Sequence, residues 1–185
     1  MARTPSNMLD LGTFAPDFSL PDTVRQSTCT FNQIKGAKGT VVMFICNHCP
    51  FVKHVFDGIT SLANDYQKKD IGFVAISSND VENYPDDAPA LMKQTAEEQR
   101  FTFPYLYDET QEVAKDYDAA CTPDFYLFDE QNKLVYRGQL DDSRPGNGIA
   151  VTGKDLRAAL DALLTNRVIN PKQKPSLGCN IKWKA

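Results

Sequence analysis

The sequence predicts an α/β protein, a central mixed sheet flanked by helices on both faces, and three observations carry that expectation. GTVVMFI (39–45) and IGFVAISS (71–78) are continuous apolar, β-branched runs that read as buried central strands. Between them, Val52, Val55, Phe56, Ile59, Leu62, Ala63 and Tyr66 recur at helical spacing behind Pro50, which predicts an amphipathic helix. Strand-like and helix-like segments then keep alternating, the pattern of a sheet with helices packed on its faces.

The elements follow in order. FAPDFSLPD (14–22) sets paired Pro-Asp signals around short apolar pieces and predicts an opening hairpin or extended arm. After the second buried strand, APALMKQTAEEQR (88–100) reads as a helix, FPYLYD (103–108) as a third strand and TQEVAKDY (110–117) as a short helix. DFYLFDEQNKLVYRG (124–138) holds two strand-like runs around DEQNK, a hairpin signal. GKDLRAALDALL (153–164) closes the domain as a helix, with Thr152 as its cap. The loop GQLDDSRPGNGIAVTG (138–153) and the acidic stretches DEQ and PDDAP read as solvated. One domain spanning 1–185 is expected, with a core of about 11–164 and a C-terminal arm over 165–185.

Composition narrows the function. Of 185 residues, 42% are hydrophobic and 24% charged, enough for a proper core under an ordinary polar surface. A net charge of -4 argues against nucleic acid as a partner, which needs a basic face. No apolar run approaches the ~18 residues of a membrane span. The start, MARTPSNMLDLGTFAPDF, has no apolar core of a secretory signal, so the cytoplasm is the expected compartment. Thiols there stay reduced and five cysteines is an odd count, so a disulfide framework is not expected.

FICNHCPFVKH (44–54) is therefore a thiol–disulfide catalyst, a peroxide-reducing cysteine, half a zinc site, or two buried thiols. Pro50 suits the first position of a helix, which makes Cys49 the cap residue. There, unpaired N–H groups and the helix dipole favour an anion, and thiol pKa values fall to between ~3.5 and ~7.5 from ~8.5. His48, Lys53 and His54 add positive potential, with His48 as a local tuner of the thiolate. Cys49 is thus the expected nucleophile and Cys46 its upstream helper. A zinc site needs four ligands, and no second close pair exists among Cys29, Cys121, Cys179 and the two histidines, so neither metal nor cofactor is expected.

In this order of elements the chain resembles the thioredoxin superfamily, in its peroxiredoxin-like branch with alkyl hydroperoxide reductase and redoxin domains. GTFAPDFSLPD, GTVVMFICNHCPFVKH and CTPDFYLFDEQNKLVYRG carry the resemblance, which runs from about Leu11 to about Leu164. It implies a thioredoxin-like fold, a cis proline at Thr122-Pro123 shaping the substrate groove, and a thiol-disulfide oxidoreductase of antioxidant type or a weak thiol peroxidase. The sequence departs from the pattern at Val52, where thioredoxins place the resolving cysteine, and at Met43, where they bury an acid. Cys46 and Val42 replace the threonine and proline of peroxiredoxins, and Arg137 comes too late for their arginine. A non-catalytic metal- or ligand-binding module is the rival reading.

Any such cycle needs a resolving thiol, and Cys46, Cys121 and Cys179 are the candidates. Cys179 lies in VINPKQKPSLGCNIKWKA (168–185), read as an extended arm docking on the body or on a partner subunit of a homodimer, with Cys179 inert if the arm only packs. Cys29, in RQSTCTF, reads as incidental. The partners expected are a protein disulfide, small peroxide or thiol substrate, and a reductant such as a thioredoxin or glutathione system.

Overall fold

The computed structural model describes residues 3–185. In chain order these residues form β1 (Arg3–Pro5), β2 (Ser19–Asp22), β3 (Ser27–Thr30), α1 (Phe31–Ile34), β4 (Gly39–Phe44), α2 (Pro50–Gln67), β5 (Ile71–Ser77) and α3 (Pro89–Glu98). Then come β6 (Tyr105–Tyr107), α4 (Glu112–Asp116), β7 (Cys121–Thr122), β8 (Asp124–Asp129), β9 (Leu134–Gly138), α5 (Lys154–Leu164) and β10 (Leu177–Asn180). Seven strands make a mixed sheet in the order β3-β2-β6-β5-β4-β8-β9. β4 runs parallel to β5 and antiparallel to β8. None of the described helices is long and apolar enough to cross a membrane.

The centre of this sheet is β4, every residue of which is buried. Because side chains alternate along a strand, β4 feeds two cores. Val41 and Met43 join α2, α3 and α5 on one face, while Val42 and Phe44 join Phe31 of α1 and Val113 and Ala114 of α4 on the other. The seven apolar positions that predicted α2 are the seven it buries. The first core thereby fixes α2 against β4, and the loop between them, 45–49, has little freedom.

The hairpin expected over 124–138 is present as β8 and β9, with an irregularity between Leu127 and Phe128. The opening segment supplies β2, which pairs with β3 and β6, and β3 carries a buried Cys29. Thr152 is not the cap of α5. Gly153, with φ of 70°, occupies that position, and the Asp141 carboxylate accepts the N–H groups of Thr152 and Gly153. The loop 138–153 is likewise not simply solvated, since Asp141 is buried there and also accepts the Ser143 N–H. Burial under so many main-chain donors is what a carboxylate needs to leave water.

A second sheet was not legible in the sequence. The arm, read as an extended tail, docks on the body of its own chain as β10, between β1 and β7 in the order β1-β10-β7. Cys179 faces Thr122 across the β10–β7 pair and Arg3 across the β1–β10 pair. A side chain at Gly178 would meet the Thr122 carbonyl oxygen at 1.9 Å, so only glycine lets the two backbones come this close. The Thr122-Pro123 peptide bond is cis.

Asp124, directly after that proline, ties the two sheets together. Its wholly buried carboxyl accepts hydrogen bonds from Ser6, from Tyr126 and from the Phe125 N–H. Burial pushes it up to about 7 against the pull of those donors. A carboxyl raised in the fold contributes stability below its ordinary pKa of 3.8 and loses it as pH rises through about 7. Urea unfolding should therefore show stability falling by roughly 2–3 kcal/mol between about pH 5 and about pH 8 on account of this group. Asp124→Asn should flatten that dependence.

Candidate active site

β4 ends inside the protein, and the chain turns through Ile45–Cys46–Asn47–His48 before α2 begins. Cys49 is the N-cap of α2 and Pro50 its first residue, as the sequence predicts. Val52 and Lys53 donate their N–H groups to the Cys49 carbonyl oxygen at 3.0 Å. That locks the Cys49 backbone and aims its sulfur toward the cis-proline strand. The Cys49 Sγ lies 3.3 Å from the Thr122 carbonyl oxygen and 2.8 Å from the Cys179 Sγ. The Cys46 Sγ lies 3.3 Å from the Thr122 hydroxyl. Cys46, Cys49, Cys179 and Thr122 are all buried, with Cys49 at 0% exposure.

The three thiols divide one charge unequally. Hydrogen bonding from Cys46 is the largest influence on Cys49 and lowers it to about 5, against an opposing push from burial. The Cys179 thiol and the N–H groups of Val52 and Cys179 lower it further. The same bond raises Cys46 well above the ordinary thiol range, helped by burial. Cys179 is raised to about 12, by burial and then by its bond to Cys49. These influences favour the charge on Cys49 over its two neighbours. A buried anion is tolerated only where donors replace the lost water, and here sulfur and backbone supply them.

Asp87, like Asp141, is a buried acid in a stretch whose composition predicts exposure. PDDAP looked solvated, yet Asp87 is wholly buried. Its carboxylate accepts the N–H groups of Asn47 at 2.7 Å and His48 at 3.1 Å, the His48 Nδ1 at 2.5 Å and the Asn79 amide at 2.8 Å. Burial works against its charge, but these donors hold it below the usual carboxylate range. Asp87 in turn raises His48 by hydrogen bonding, against its partial burial. His48 stacks on Tyr84 at 5.7 Å between ring centroids. Asn79 continues the chain of contacts, accepting the Lys182 N–H of the arm at 2.8 Å. One carboxylate therefore joins the CxxC loop, through Asn79, to the segment just beyond Cys179.

Other expected contributors lie elsewhere. Lys53 is exposed and, with His48, Asp86 and Leu91, lines an open groove of about 690 Å³ that none of the cysteines lines. The His54 Nε2 lies 2.7 Å from the Ser143 hydroxyl. Cys121 is buried beside the site without touching Cys49, and its thiol donates to the Pro123 carbonyl at 3.8 Å. Burial raises it above the ordinary range. Arg137 serves the scaffold, donating to the Leu9 carbonyl and Gln173.

A metal could find donors at Cys46, His48 and Asp87, whose ligand atoms lie within 4.8 Å of one another. The Asp87 oxygens, however, are already taken by four N–H groups, and His48 Nδ1 is one of those donors. A cation there would have to break the bonds that shape the loop.

Comparison with known proteins agrees with this architecture. The AhpC/TSA family profile matches residues 11–137. An uncharacterized conserved protein from Geobacillus kaustophilus is 61% identical, with a TM-score of 0.98 over 100% of this chain and 97% of that one. A hypothetical protein from Sinorhizobium meliloti 1021 is 46% identical, with a TM-score of 0.95 over 98% and 99%. The peroxidoxin BcpB of Mycobacterium tuberculosis, at 18% identity, shares the fold with a TM-score of 0.64 over 86% and 99%. No curated protein sequence matches. With more than half its length matched by the profile and its mixed sheet shared with thioredoxin-like structures, the chain is a member of the AhpC/TSA family of thioredoxin fold.

Proposed function

We propose that the protein is a thiol-based oxidoreductase in which Cys49 is the nucleophile and the oxidised state is a disulfide within the chain. The observation that carries the reading is the Cys49 sulfur at the N-terminus of α2, 2.8 Å from a second sulfur, in surroundings that lower its thiol to about 5. A thiolate attacks a disulfide sulfur or a peroxide oxygen, and a neighbouring thiol then displaces the product from it. Of the candidate resolving thiols, the Cys179 sulfur contacts Cys49 directly, whereas Cys121 does not. Cys46 serves as the hydrogen-bond donor that keeps Cys49 ionised, and Thr122 and Pro123 form the wall opposite it. Asp87 holds His48 by a hydrogen bond that favours its charged form. An external thiol reductant closes the cycle.

Three measurements check this. Thiolate absorbance near 240 nm should rise with a midpoint near pH 5, because the lowered group is ionised above that value. The rise should vanish in Cys49→Ser and move to higher pH in Cys46→Ala. Peroxide-dependent or disulfide-dependent oxidation of an added dithiol should fall more than about a thousandfold in Cys49→Ser, since the nucleophile is lost outright. Asp87→Asn should bring the His48 titration, followed by NMR, down toward that of an ordinary imidazole, with a stability loss of about 1–3 kcal/mol.

A further inference from the structure

Asp124 is a buried titratable group that the thiol chemistry does not use. The Ser6 hydroxyl lies 2.9 Å from one carboxyl oxygen, which also accepts the Phe125 N–H at 3.1 Å, and the Tyr126 hydroxyl lies 3.1 Å from the other. Among the described residues no lysine, arginine or histidine forms an ion pair with it. The titratable groups facing it are the Cys121 thiol of β7, Tyr126 of its own strand, Tyr136 of β9 and Asp118 from the segment after α4. β4 faces it with Phe44, and the second sheet with the uncharged Ser6. A charge on Asp124 thus has neither a cation nor water beside it, which favours the protonated form.

On the side of the second sheet two buried serines form a seam over this carboxyl. Ser6 Oγ accepts the Ser176 N–H at 2.7 Å and lies 3.5 Å from the Ser176 carbonyl oxygen, which takes the Ser6 N–H at 3.0 Å. The Ser176 hydroxyl donates to the Pro123 carbonyl. Ser6 follows β1, an edge strand of three residues with Arg3 and Pro5 exposed, and Ser176 directly precedes β10. So short an edge strand has few bonds to give up, and local opening starts most easily there. The seam also responds to the proton. With the carboxyl protonated, its O–H can go to Ser6 Oγ, which frees the Ser6 hydroxyl for the Ser176 carbonyl. With the carboxyl ionised, Ser6 must donate to it instead.

We propose that Asp124 is a proton-operated latch on the second sheet: while its carboxyl holds a proton, Ser6 and Ser176 stay seated over it, and loss of the proton favours opening of that seam so that water reaches the charge. In the closed protein burial raises the carboxyl to about 7, and in the open form, solvated, it returns toward its ordinary 3.8. A carboxyl raised in the closed state favours closure at low pH and ceases to do so as pH rises through about 7. Opening therefore gains about tenfold per pH unit between the two values and levels off above the higher one, where both forms are ionised. Cys179 lies further along β10, so the latch bears on how firmly that strand is held, with neither sulfur of the Cys49–Cys179 contact taking part. The inference does not rest on the oxidoreductase reading.

Hydrogen exchange of the reduced full chain, read by mass spectrometry and corrected for the pH dependence of intrinsic exchange, tests this. In wild type, segments 3–8 and 174–180 should lose roughly a hundredfold in protection between about pH 5 and about pH 8. At each pH they should be at least about tenfold less protected than β4 and β5, as a local opening requires. The carbon-13 resonance of the Asp124 carboxyl should titrate near pH 7, where the loss of protection levels off. Asp124→Asn, which cannot ionise, should keep seam protection constant with pH. Ser6→Ala, which cuts the tie between Asp124 and Ser176, should lower the protection of 174–180 already at pH 5. Seam protection that does not change with pH in wild type would overturn the latch, as would a pH dependence that survives in Asp124→Asn. A seam as well protected as β4 at every pH would overturn it too, because only global unfolding would then bring water to Asp124.

Discussion

A buried thiol whose neighbours favour its charged form is the constraint around which this protein is arranged. Solvent contributes nothing to the charge on Cys49, so its donors must come from the chain. Two are thiols, Cys46 from the loop before α2 and Cys179 from the arm, and others are N–H groups of Val52 and Cys179. Donors from two distant segments, 46–52 and the arm at Cys179, have to converge on one sulfur. That convergence is possible because β4 and α2 are fixed by a shared apolar core, while β7 supplies an edge on which the arm can lie.

Asp87 extends the same logic one layer outward. The loop carrying Cys46 and Cys49 contains two main-chain N–H groups, from Asn47 and His48, that point into the protein and need acceptors. Asp87 meets both with one oxygen, while its other oxygen takes His48 Nδ1 and Asn79. Since Asn79 also holds Lys182, the loop and the arm share a support. Loop position and arm position are therefore mechanically linked, and the CxxC geometry is not independent of the C-terminal strand.

This arrangement also gives the two cysteines of the CxxC motif unlike duties. In the proposed cycle, Cys46 is a donor that favours the charge on Cys49, and the sulfur available for exchange comes from the far end of the chain. The pattern differs from that of thioredoxin, whose resolving position is Val52 here, a residue buried in the α2 core. An apolar side chain there strengthens the packing of α2 but leaves redox chemistry to find its partner elsewhere.

Local chemistry made part of this legible. The alternation of apolar runs with helical repeats determined the α/β class, because burial periodicity is a property of neighbouring residues. Pro50 determined the start of α2 and hence Cys49 as its cap, since a proline's missing N–H is tolerated there. Tertiary structure decided the rest. β7 has only two residues and β1 three, too short to leave a periodic signal, so the second sheet, and with it the seat of Cys179, exists only through long-range pairing. Asp87 and Asp141 read as solvated because charge predicts exposure, and it took distant N–H donors gathered by the fold to make their burial tolerable. The sequence by itself determined which sulfur sits at a helix start; only the folded chain decided which sulfurs stand beside it, because that contact joins residues 130 positions apart.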